Sequence, residues 1–278
     1  MSKNNQDYSV LVIGETCEDR FMHGFIERIS PEAPVPIFKT DVKPFIITNP
    51  GMAGNVSENT KHSFNMFTMV LSNEEPIVKT RFVDYRSGQM VLRWDEHDIC
   101  KPVNREPLSR LLNNKWRNPD GQKGSINFDA IIISDYCKGF LEEDMIRYIC
   151  ENNTNVFLDT KKKLGDFAKD ADFIKINELE YRKNHDYLDS NGFKDKLIVT
   201  LGSKGCKYKD KIYEVEQVPV KDVSGAGDTF IAGLVRGWLD TNNINSAIDL
   251  AQKVTTLVVQ QPTVVHIPFK ELQSKGIL

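Results

Sequence analysis

Residues 222–229 read Asp222-Val-Ser-Gly-Ala-Gly-Asp-Thr229, a run of small residues that ends on a carboxylate and a hydroxyl. The next ten residues, 230–239, repeat apolar side chains with helical spacing, so the run predicts a loop that enters an amphipathic helix. The free amides and the dipole of a helix N-terminus attract anions, and small residues let the backbone approach a phosphate closely. The pattern therefore predicts an anion site beside Asp228.

Asp228 is suited to act as a general base in this turn. A carboxylate at this place can accept the proton of an attacking hydroxyl. The amides of Gly225, Ala226 and Gly227 can stabilise charge on a transferred phosphoryl group. The alternative is a helix N-cap, because Asp and Ser are common caps and glycine-rich turns precede many helices. Neither a Walker A pattern nor, at Gly14–Asp19, a GxGxxG dinucleotide loop is present.

Short apolar runs elsewhere predict buried strands, since each is rich in β-branched residues and is followed by polar residues or glycine. These runs are Val10–Ile13, Ala130–Ile133, Val156–Leu158, Phe173–Ile176 and Leu197–Val199. Segments with helical spacing lie between them, for example Glu142–Cys150. This alternation predicts an α/β fold with a mostly parallel sheet covered by helices. In such sheets, ligands bind beyond the carboxyl ends of the strands.

Two segments break this alternation. Residues 25–40 contain three prolines and alternating apolar positions, and residues 78–95 also alternate, as in Met90-Val-Leu-Arg-Trp94. Both patterns predict extended strands, and we expect them to form a small antiparallel lid over the site. The alternative is that they are ordinary strands or loops of the main body.

The length suits one large α/β domain or two small ones, and the composition argues against several functional classes. The chain of 278 residues is long enough to bury a sizeable core. Its net charge of -3 offers no basic surplus for nucleic acid or an anionic membrane. No apolar run approaches the ~18 residues that cross a bilayer, and the five cysteines show neither a CxxC pair nor a metal-ligand spacing. We expect a cytoplasmic protein with reduced thiols.

The run 222–228 resembles the C-terminal signature of the ribokinase-like (PfkB) carbohydrate kinases. Three other motifs follow in the order of that family: the glycine-rich sugar site Gly51-Met-Ala-Gly-Asn55, the NxxE motif Asn177-Glu-Leu-Glu180 and the nucleotide-side strand and turn Thr200-Leu-Gly-Ser-Lys-Gly205. The similarity covers residues 10–267. It implies a single kinase domain over residues 1–278, with an α/β, ribokinase-like three-layer fold, a mostly parallel central sheet and a small β-strand lid. The implied activity is that of an ATP-dependent sugar kinase that uses Mg²⁺.

The resemblance also implies roles for the matching positions on the nucleotide side. Asp228 would activate the sugar hydroxyl, and the amides of residues 225–227 would form the anion hole. Asn177 and Glu180 would act around the Mg²⁺–phosphate assembly, Glu180 through water. The alternative for these two is the cap and first turn of a helix. The nucleotide site would be lined by Thr200, Gly202 and Gly205.

On the sugar side, the resemblance implies that Asp19, Gly51 and Asn55 bind sugar hydroxyls, which offer many donors and acceptors. Asp19 could instead be a solvated loop acid. Asp222 would help to hold a monovalent cation such as K⁺, as in several relatives. Five basic residues could bind the phosphate group of a sugar phosphate: Lys79, Arg81, Arg93, Lys138 and Lys161. For each of them the simpler alternative is a solvated surface charge.

A narrower similarity concerns the acceptor. Arg28-Ile-Ser-Pro-Glu-Ala-Pro-Val-Pro36 and Ser134-Asp-Tyr-Cys-Lys-Gly139 resemble motifs of the D-glycero-D-manno-heptose 7-phosphate kinases, the kinase half of the bifunctional ADP-heptose synthesis protein. This implies phosphorylation of the anomeric hydroxyl, with Asp135 and Lys138 among the substrate contacts. It also implies a homodimer that pairs through the lid. No adenylyltransferase half follows in this sequence, so we expect a separate protein to transfer the nucleotide for lipopolysaccharide or another glycan.

The sequence departs from the family pattern at several places. The usual double glycine is Gly51-Met52, and the first strand ends in Gly14-Glu15 where Gly-Asp is common. Residues 55–79 are short by about one strand–helix unit, Gln252-Lys253 replaces the usual Asn and small residues, and 261–263 replaces a Gly-Thr turn. These changes leave two alternatives open: a kinase for another sugar or sugar phosphate, and a catalytically silent protein that binds sugar or nucleotide.

Overall fold

A computed structural model of the chain describes residues 8–40, 45–113, 116–117, 123–124 and 127–278. The strands, in chain order, are β1 Ser9–Gly14, β2 Thr16–Ile29, β3 Pro36–Lys39, β4 Phe45–Met52, β5 Phe67–Leu71, β6 Ile77–Asp84, β7 Met90–Glu96, β8 Trp116–Arg117, β9 Lys123–Gly124, β10 Ala130–Asp135, β11 Val156–Thr160, β12 Phe173–Asn177, β13 Leu197–Thr200, β14 Cys206–Tyr208 and β15 Lys211–Tyr213. The α-helices are α1 Ala53–Glu58, α2 Arg105–Leu112, α3 Glu143–Asn152, α4 Glu178–Ser190, α5 Ala226–Thr241, α6 Ile244–Val258 and α7 Phe269–Ser274. Shorter helical turns are the π-helical turn Asn59–Ser63 and the 3₁₀ turns Asp166–Ala168 and Gly202–Lys204.

The larger sheet has eight strands in the order β15-β14-β13-β12-β11-β10-β1-β5. Neighbouring strands are parallel from β5 to β13, and β14 and β15 form an antiparallel edge. The predicted mostly parallel α/β sheet is confirmed. The five apolar runs predicted as strands coincide with β1, β10, β11, β12 and β13. The predicted helix over 142–150 is α3, which continues to Asn152.

Alternate residues of the central strands enter two cores, one on each face of this sheet. In β1, Val10 and Val12 pack in the core that contains residues of α1, α5 and α6. Leu11 and Ile13 pack in the core that contains residues of α3 and α4. All four side chains are fully buried. Residues 10–13 are all apolar because helices cover both faces of the sheet.

A second sheet has five strands, in the order β3-β2-β6-β7 with β4 also paired to β2. It contains the strands predicted within 25–40 and 78–95, and also residues 16–24 and 45–52, which lay outside the predicted lid. The expected antiparallel arrangement is wrong at one pairing, because β2 and β6 are parallel. The reason is topological. β2 follows β1 and β6 follows β5, and since β1 and β5 are parallel neighbours, both chains leave the larger sheet in the same direction.

Candidate active site

The glycine-rich loop ends at Gly225, which precedes α5 in a left-handed conformation with φ of 76°. A Cβ at this residue would lie 2.6 Å from Nδ2 of Asn55, so both the backbone and the available space require glycine. Asp228 is the third residue of α5, and no side chain caps the helix. The interpretation of Asp228 as an N-cap is therefore wrong, and its carboxylate has other partners.

The first turn of α5 supplies backbone amides to the neighbouring cleft. The first amides of an α-helix have no acceptor within the helix. The Ala226 amide already donates to the carbonyl of Val223 at 3.2 Å. The Gly227 amide has no such acceptor, so it is the better-placed donor for an anion. The predicted role of the Ala226 amide in the anion hole stays a prediction.

Asp228 is buried between two donors that belong to different parts of the chain. Nδ2 of Asn55, in α1, donates to its Oδ2 at 2.7 Å, and the hydroxyl of Tyr136, after β10, donates to its Oδ1 at 2.8 Å. Burial raises the pKa of the Asp228 carboxyl to about 6, although both hydrogen bonds oppose the rise. A carboxylate with this pKa is mostly ionised at neutral pH and basic enough to accept a proton.

Asn55 is itself held by a polar network. Its Oδ1 lies 2.8 Å from Nε2 of His266, and its carbonyl accepts from Nδ2 of Asn59 at 2.9 Å. Thr229, beside the base, donates to Oδ1 of Asn59 at 3.1 Å. Burial lowers the pKa of His266, which favours the neutral imidazole. Asn55 is therefore engaged with Asp228 and His266, and its predicted contact with the sugar stays a prediction. Nothing in the sequence pattern pointed to His266 or Asn59.

Glu15 organises the loop that carries Tyr136. Its carboxylate is fully buried and accepts from the backbone amides of Tyr136, Lys138 and Phe140 at 2.8, 2.9 and 3.2 Å. Three hydrogen bonds replace the water that a buried carboxylate loses. The change from Asp to Glu after the first strand thus has a structural role here. The motif 134–139 contains Tyr136, so its contact with the base could have been suspected from the sequence.

A cluster of four charged side chains lies beyond β11 and β12. Nζ of Lys175 is 2.7 Å from Oδ2 of Asp159, and both side chains are 4% exposed. Nζ of Lys161 is 2.8 Å from Oε1 of Glu180 and 3.6 Å from Oδ1 of Asp159. Lys175 also lies under the glycine-rich loop, because a Cβ on Gly227 would be 2.8 Å from its Nζ. The cluster therefore lies beside the anion site.

Asn177 and Glu180 form a capping box at the start of α4. The Glu180 amide donates to Oδ1 of Asn177 at 2.9 Å, and the Asn177 amide donates to Oε2 of Glu180 at 2.8 Å. The helix-cap interpretation of this motif is confirmed. A contact of Glu180 with a metal-bound water stays a prediction, because only its Oε1, now beside Lys161, is outside the capping box.

One cleft gathers the residues predicted for the nucleotide. Its lining includes Thr200, Gly202, Gly205, Ala226 and Gly227, together with valines of the segment 215–223 and polar residues of α6. Gln252 also lines this cleft, but its Nε2 donates to the carbonyl of Tyr213 at 2.6 Å. This departure from the family pattern therefore supports the cleft wall. The cleft reaches the glycine-rich loop, as a nucleotide with its terminal phosphate at α5 would require.

On the acceptor side, Asp19 and Arg81 form an ion pair across β2 and β6, with Nη1 and Oδ1 2.6 Å apart. Gly51 lies against them, since a Cβ there would be 2.4 Å from Oδ2 of Asp19 and 2.6 Å from Sγ of Cys17. Asp19 is therefore a paired acid rather than a solvated one. Gly51 is required by the close approach of β4 to these side chains.

Other basic residues of the second sheet and its neighbours are also paired. Arg93 donates twice to Asp95 at 2.7 Å, and Lys138 is paired with Asp98. Lys79 differs, because it is 8% exposed and makes no ion pair with any described residue. Its cross-strand neighbours are Asp19 on β2 and Asp95 on β7, and Arg81 lies two residues further along β6 on the same face.

Three predicted elements lie apart from this cluster. The Asp135 carboxylate is fully buried, accepts from Thr160 at 2.5 Å and pairs with Lys162 at 3.2 Å, so it has no surface for a sugar. Its predicted substrate contact is wrong. Oδ1 of Asp222 accepts from the Ser224 amide at 2.8 Å, and its cation role stays a prediction. The motif 28–36 forms the exposed turn between β2 and β3.

The donor set suits a metal ion that arrives with phosphates. In the parts of the chain that the structure describes, no group of three or more His, Cys, Asp or Glu side chains could hold a metal alone. Asp159 presents a buried Oδ1 without a hydrogen-bond partner, and Glu180 lies beside it. Hard oxygen ligands of this kind fit Mg²⁺ that keeps waters and phosphate oxygens as its other ligands.

The comparison with protein families gives a match over residues 118–269 to the model described as pfkB family carbohydrate kinase. The bifunctional protein HldE of Campylobacter jejuni is 28% identical over 314 residues, which cover 98% of this chain and 65% of the relative. The bifunctional protein HldE of Aliivibrio fischeri is 28% identical over 301 residues, covering 92% of this chain and 61% of the relative. This chain thus spans under two thirds of the length of these relatives.

Solved structures show the same fold. Ribokinase from Thermotoga maritima aligns with a TM-score of 0.69 at 13% identity, over 96% of this chain and 98% of its own. Phosphofructokinase-2 from Escherichia coli, in complex with potassium, aligns with a TM-score of 0.64 at 11% identity, over 96% of this chain and 97% of its own. The ribokinase-like fold predicted from the motifs is confirmed. No helix within the described ranges is long and apolar enough to cross a membrane.

Proposed function

This chain belongs to the pfkB family of carbohydrate kinases, and we propose that it transfers the γ-phosphoryl group of ATP to the anomeric hydroxyl of D-glycero-D-manno-heptose 7-phosphate. The observation that carries the proposal is Asp228, a buried carboxylate that directly follows the cleft-lining residues Ala226 and Gly227 and accepts hydrogen bonds from Asn55 and Tyr136. Two similarities support the acceptor: the motif 28–36 resembles heptose 7-phosphate kinases, and the matched relatives are named bifunctional protein HldE. The product would be the 1,7-bisphosphate, a precursor for ADP-heptose and glycan synthesis.

The chemistry assigned to this site is a direct displacement. The acceptor oxygen forms a bond to the γ-phosphorus while the bond from that phosphorus to the bridging oxygen breaks, and ADP leaves with the electron pair. The hydroxyl proton passes to Asp228. The Gly227 amide and the dipole of α5 stabilise the negative charge on the transferred group.

The cofactor proposal follows from the same residues. Mg²⁺ bound with ATP would neutralise phosphate charge, and Glu180 and Asp159 are the carboxylates of the charged cluster that could hold it, directly or through water. Asp222 would take part in a K⁺ site at the loop before α5. Both proposals are checked by removal: turnover should stop with a chelator of Mg²⁺ and should fall when K⁺ is replaced by a bulky organic cation. Unchanged turnover without K⁺ would reject the second site.

Recognition of the distant phosphate is assigned to Lys79. The other basic side chains on this side already have carboxylate partners, namely Arg81 with Asp19, Arg93 with Asp95 and Lys138 with Asp98. Lys79 is nearly buried and has none among the described residues. An enclosed, unpaired ammonium binds a phosphate far more strongly than an exposed one, because less water competes. A phosphorylated acceptor would therefore be preferred to a free sugar.

The proposal is tested by ATP consumption with a panel of free and phosphorylated sugars. We expect turnover on heptose 7-phosphate, with a kcat/KM above that of hexose phosphates and of free sugars. Turnover on another sugar but not on heptose 7-phosphate would reject the acceptor. One observation favours this second candidate, a kinase for another sugar phosphate: Met52 replaces the family's glycine next to Gly51 and fills space near the site. Binding of ligands without turnover on any sugar would indicate a silent relative.

A homodimer through the second sheet is part of the proposal. The register aligns Leu92, Phe82, Met22 and Ile46 in one row across β7, β6, β2 and β4. Leu92 and Ile46 are 57% and 40% exposed, and Trp94, next on the same face, is 55% exposed. Such an apolar sheet face is a typical interface. Sedimentation should show a dimer that L92K converts to monomer, whereas a monomeric wild-type protein would contradict the proposal.

A further inference from the structure

Lys161 lies between the start of α4 and the base. It follows β11, and its Nζ is 2.8 Å from Oε1 of Glu180. The same ammonium is 5.5 Å from the centre of the Tyr136 ring, whose hydroxyl donates to Asp228 at 2.8 Å. Asp228 is among the charges that raise the pKa of Lys161, after Asp159 and Glu180, and together they outweigh the opposing effect of burial. Lys161 thus carries a permanent positive charge near the base.

The two lysines of the charged cluster differ in freedom. The Lys175 side chain is 4% exposed and is bound to the equally buried Asp159, so it is a fixed part of the strand framework. The Lys161 side chain is 32% exposed and lies on the loop after its strand. An ammonium on a flexible four-carbon chain can change partners at little cost. Of the two, only Lys161 is therefore free to change partners when a group enters the cleft.

The charges of the site make such a move favourable. Asp159, Glu180 and Asp228 supply three negative charges, whereas Lys161 and Lys175 supply two positive ones. The γ-phosphoryl group brings further negative charge to the same place. Oδ1 of Asp159 is buried without a hydrogen-bond partner and lies 3.6 Å from Nζ of Lys161, so the ammonium is held near the cleft even when it leaves Glu180.

We propose that Lys161 is a catalytic residue whose ammonium group turns from Glu180 to the phosphoryl group in transfer. It donates to that group together with the Gly227 amide, so that the group in transfer has a side-chain donor and a backbone donor. The same movement uncovers Oε1 of Glu180, the one oxygen of that carboxylate outside the capping box. The inference rests on phosphoryl transfer from ATP and does not depend on which sugar is the acceptor. The acceptor oxygen still displaces ADP from the γ-phosphorus and its proton still passes to Asp228. Lys161 keeps its proton throughout.

The test compares K161M with K163M. Lys163 is two residues further along the same loop and is exposed, so its variant has the same change of charge without the contacts of Lys161. K161M should lower kcat by roughly 10²-fold, the usual loss for one donor to a developing negative charge, with a much smaller change in KM for ATP. K161R, which keeps the charge, should recover part of kcat. K163M should behave as wild type.

A binding measurement separates a catalytic from a structural role. Calorimetry with ADP alone, and with ADP plus aluminium fluoride as a mimic of the phosphoryl group in transfer, is made on wild type, K161M and K163M with Mg²⁺ present. K161M should bind ADP within about threefold of wild type but the aluminium fluoride complex roughly 10²-fold more weakly. Equal losses for both ligands, or none, would overturn the proposal.

The same measurement stays decisive if other assumptions fail. If no sugar is turned over by the wild-type protein, the proposed function fails, while the two ADP ligands still report on Lys161. If K161M melts well below wild type, K161Q replaces it, because glutamine keeps the polarity and most of the length without the charge. A K161Q variant with normal kcat would reject the catalytic role.

Discussion

The two sides of the site differ in how they are built. The proposed nucleotide side includes backbone turns and small residues, such as Gly202, Gly205 and Gly227. The acceptor side consists of long charged side chains on the second sheet, and most are paired, as Asp19 is with Arg81. A phosphate site made from backbone depends little on the identity of its neighbours. A sugar site made from side chains can change with single substitutions, so specificity should be lost or altered there first.

The largest expected effect comes from the base, where the two sides meet. Asp228→Asn keeps the shape of the carboxylate but cannot take the proton, so turnover should fall by about 10³–10⁴-fold. ATP binding should change little, because the nucleotide cleft is unaltered. Kinetics and calorimetry on the same protein measure both. The control is Asp249→Asn, which makes the same change from carboxylate to carboxamide at an exposed residue of α6. This variant should have wild-type turnover.

A near-normal rate for Asp228→Asn would rule out this residue as the base. A loss of ATP binding equal to the loss of rate would also contradict the comparison, since it would mean that the base contributes to the nucleotide side. Only the combination of lost turnover and retained binding places Asp228 at the boundary of the two sides.

The second effect is confined to the acceptor side. Lys79→Met should raise KM for a phosphorylated sugar by roughly 10–100-fold, as expected when a buried charged hydrogen bond is lost. KM for ATP should stay the same, as should the poor KM for the corresponding free sugar. The matched control is Lys270→Met, which makes the same substitution at an exposed residue of α7. An equal rise in KM for free and phosphorylated sugars would show that Lys79 does not bind the phosphate.

The third effect concerns the pH dependence of the base. The hydrogen bond from Tyr136 stabilises the ionised form of Asp228, whose pKa is raised to about 6 mainly by burial. Without that hydrogen bond the pKa of Asp228 rises further. The carboxylate is then protonated at a higher pH, and more of the activity is lost on the acidic side of the profile. In Tyr136→Phe, the acidic limb of kcat/KM should therefore move to higher pH, while the rate at pH 9 should fall less than about tenfold.

The control for this change is Tyr187→Phe, which removes a similar hydrogen bond from a tyrosine to Asp166 on the surface of the molecule. Its pH profile should match that of wild type. An acidic limb of Tyr136→Phe that does not move, or that moves to lower pH, would show that the hydroxyl does not bind the base in the working enzyme.

Local patterns in the sequence could be predicted, whereas contacts between distant segments could not. Strands such as Val10–Ile13 and the loop at 222–228 could be predicted because their patterns depend on neighbours in sequence. The contacts of Asp228 with Tyr136 and Asn55, 92 and 173 residues away, depend on how the sheets bring distant segments together. Asp135 was misassigned for the same reason. A motif indicates that a residue matters, but it does not show which way the side chain points.

The smallest expected effect tests the departure from the family pattern at Met52. This residue has φ of 58° and ψ of -134°, a conformation that costs a non-glycine residue about 1–3 kcal/mol. Its side chain is 4% exposed and packs with Cys17 and Ile77. Met52→Ala loses this packing and keeps the backbone strain, whereas Met52→Gly loses the packing and relieves the strain.

Both variants should unfold more easily than wild type, because a buried methionine replaced by a smaller residue typically costs about 2–5 kcal/mol. In most places alanine is more stable than glycine, which loses more entropy on folding. At position 52 the order should be reversed, with the glycine variant more stable by about 1 kcal/mol in the free energy of unfolding measured with urea. The usual order would show that Met52 is not strained. The reversed order would show that the methionine is kept for its side chain, which fills part of the acceptor side at a cost in backbone strain.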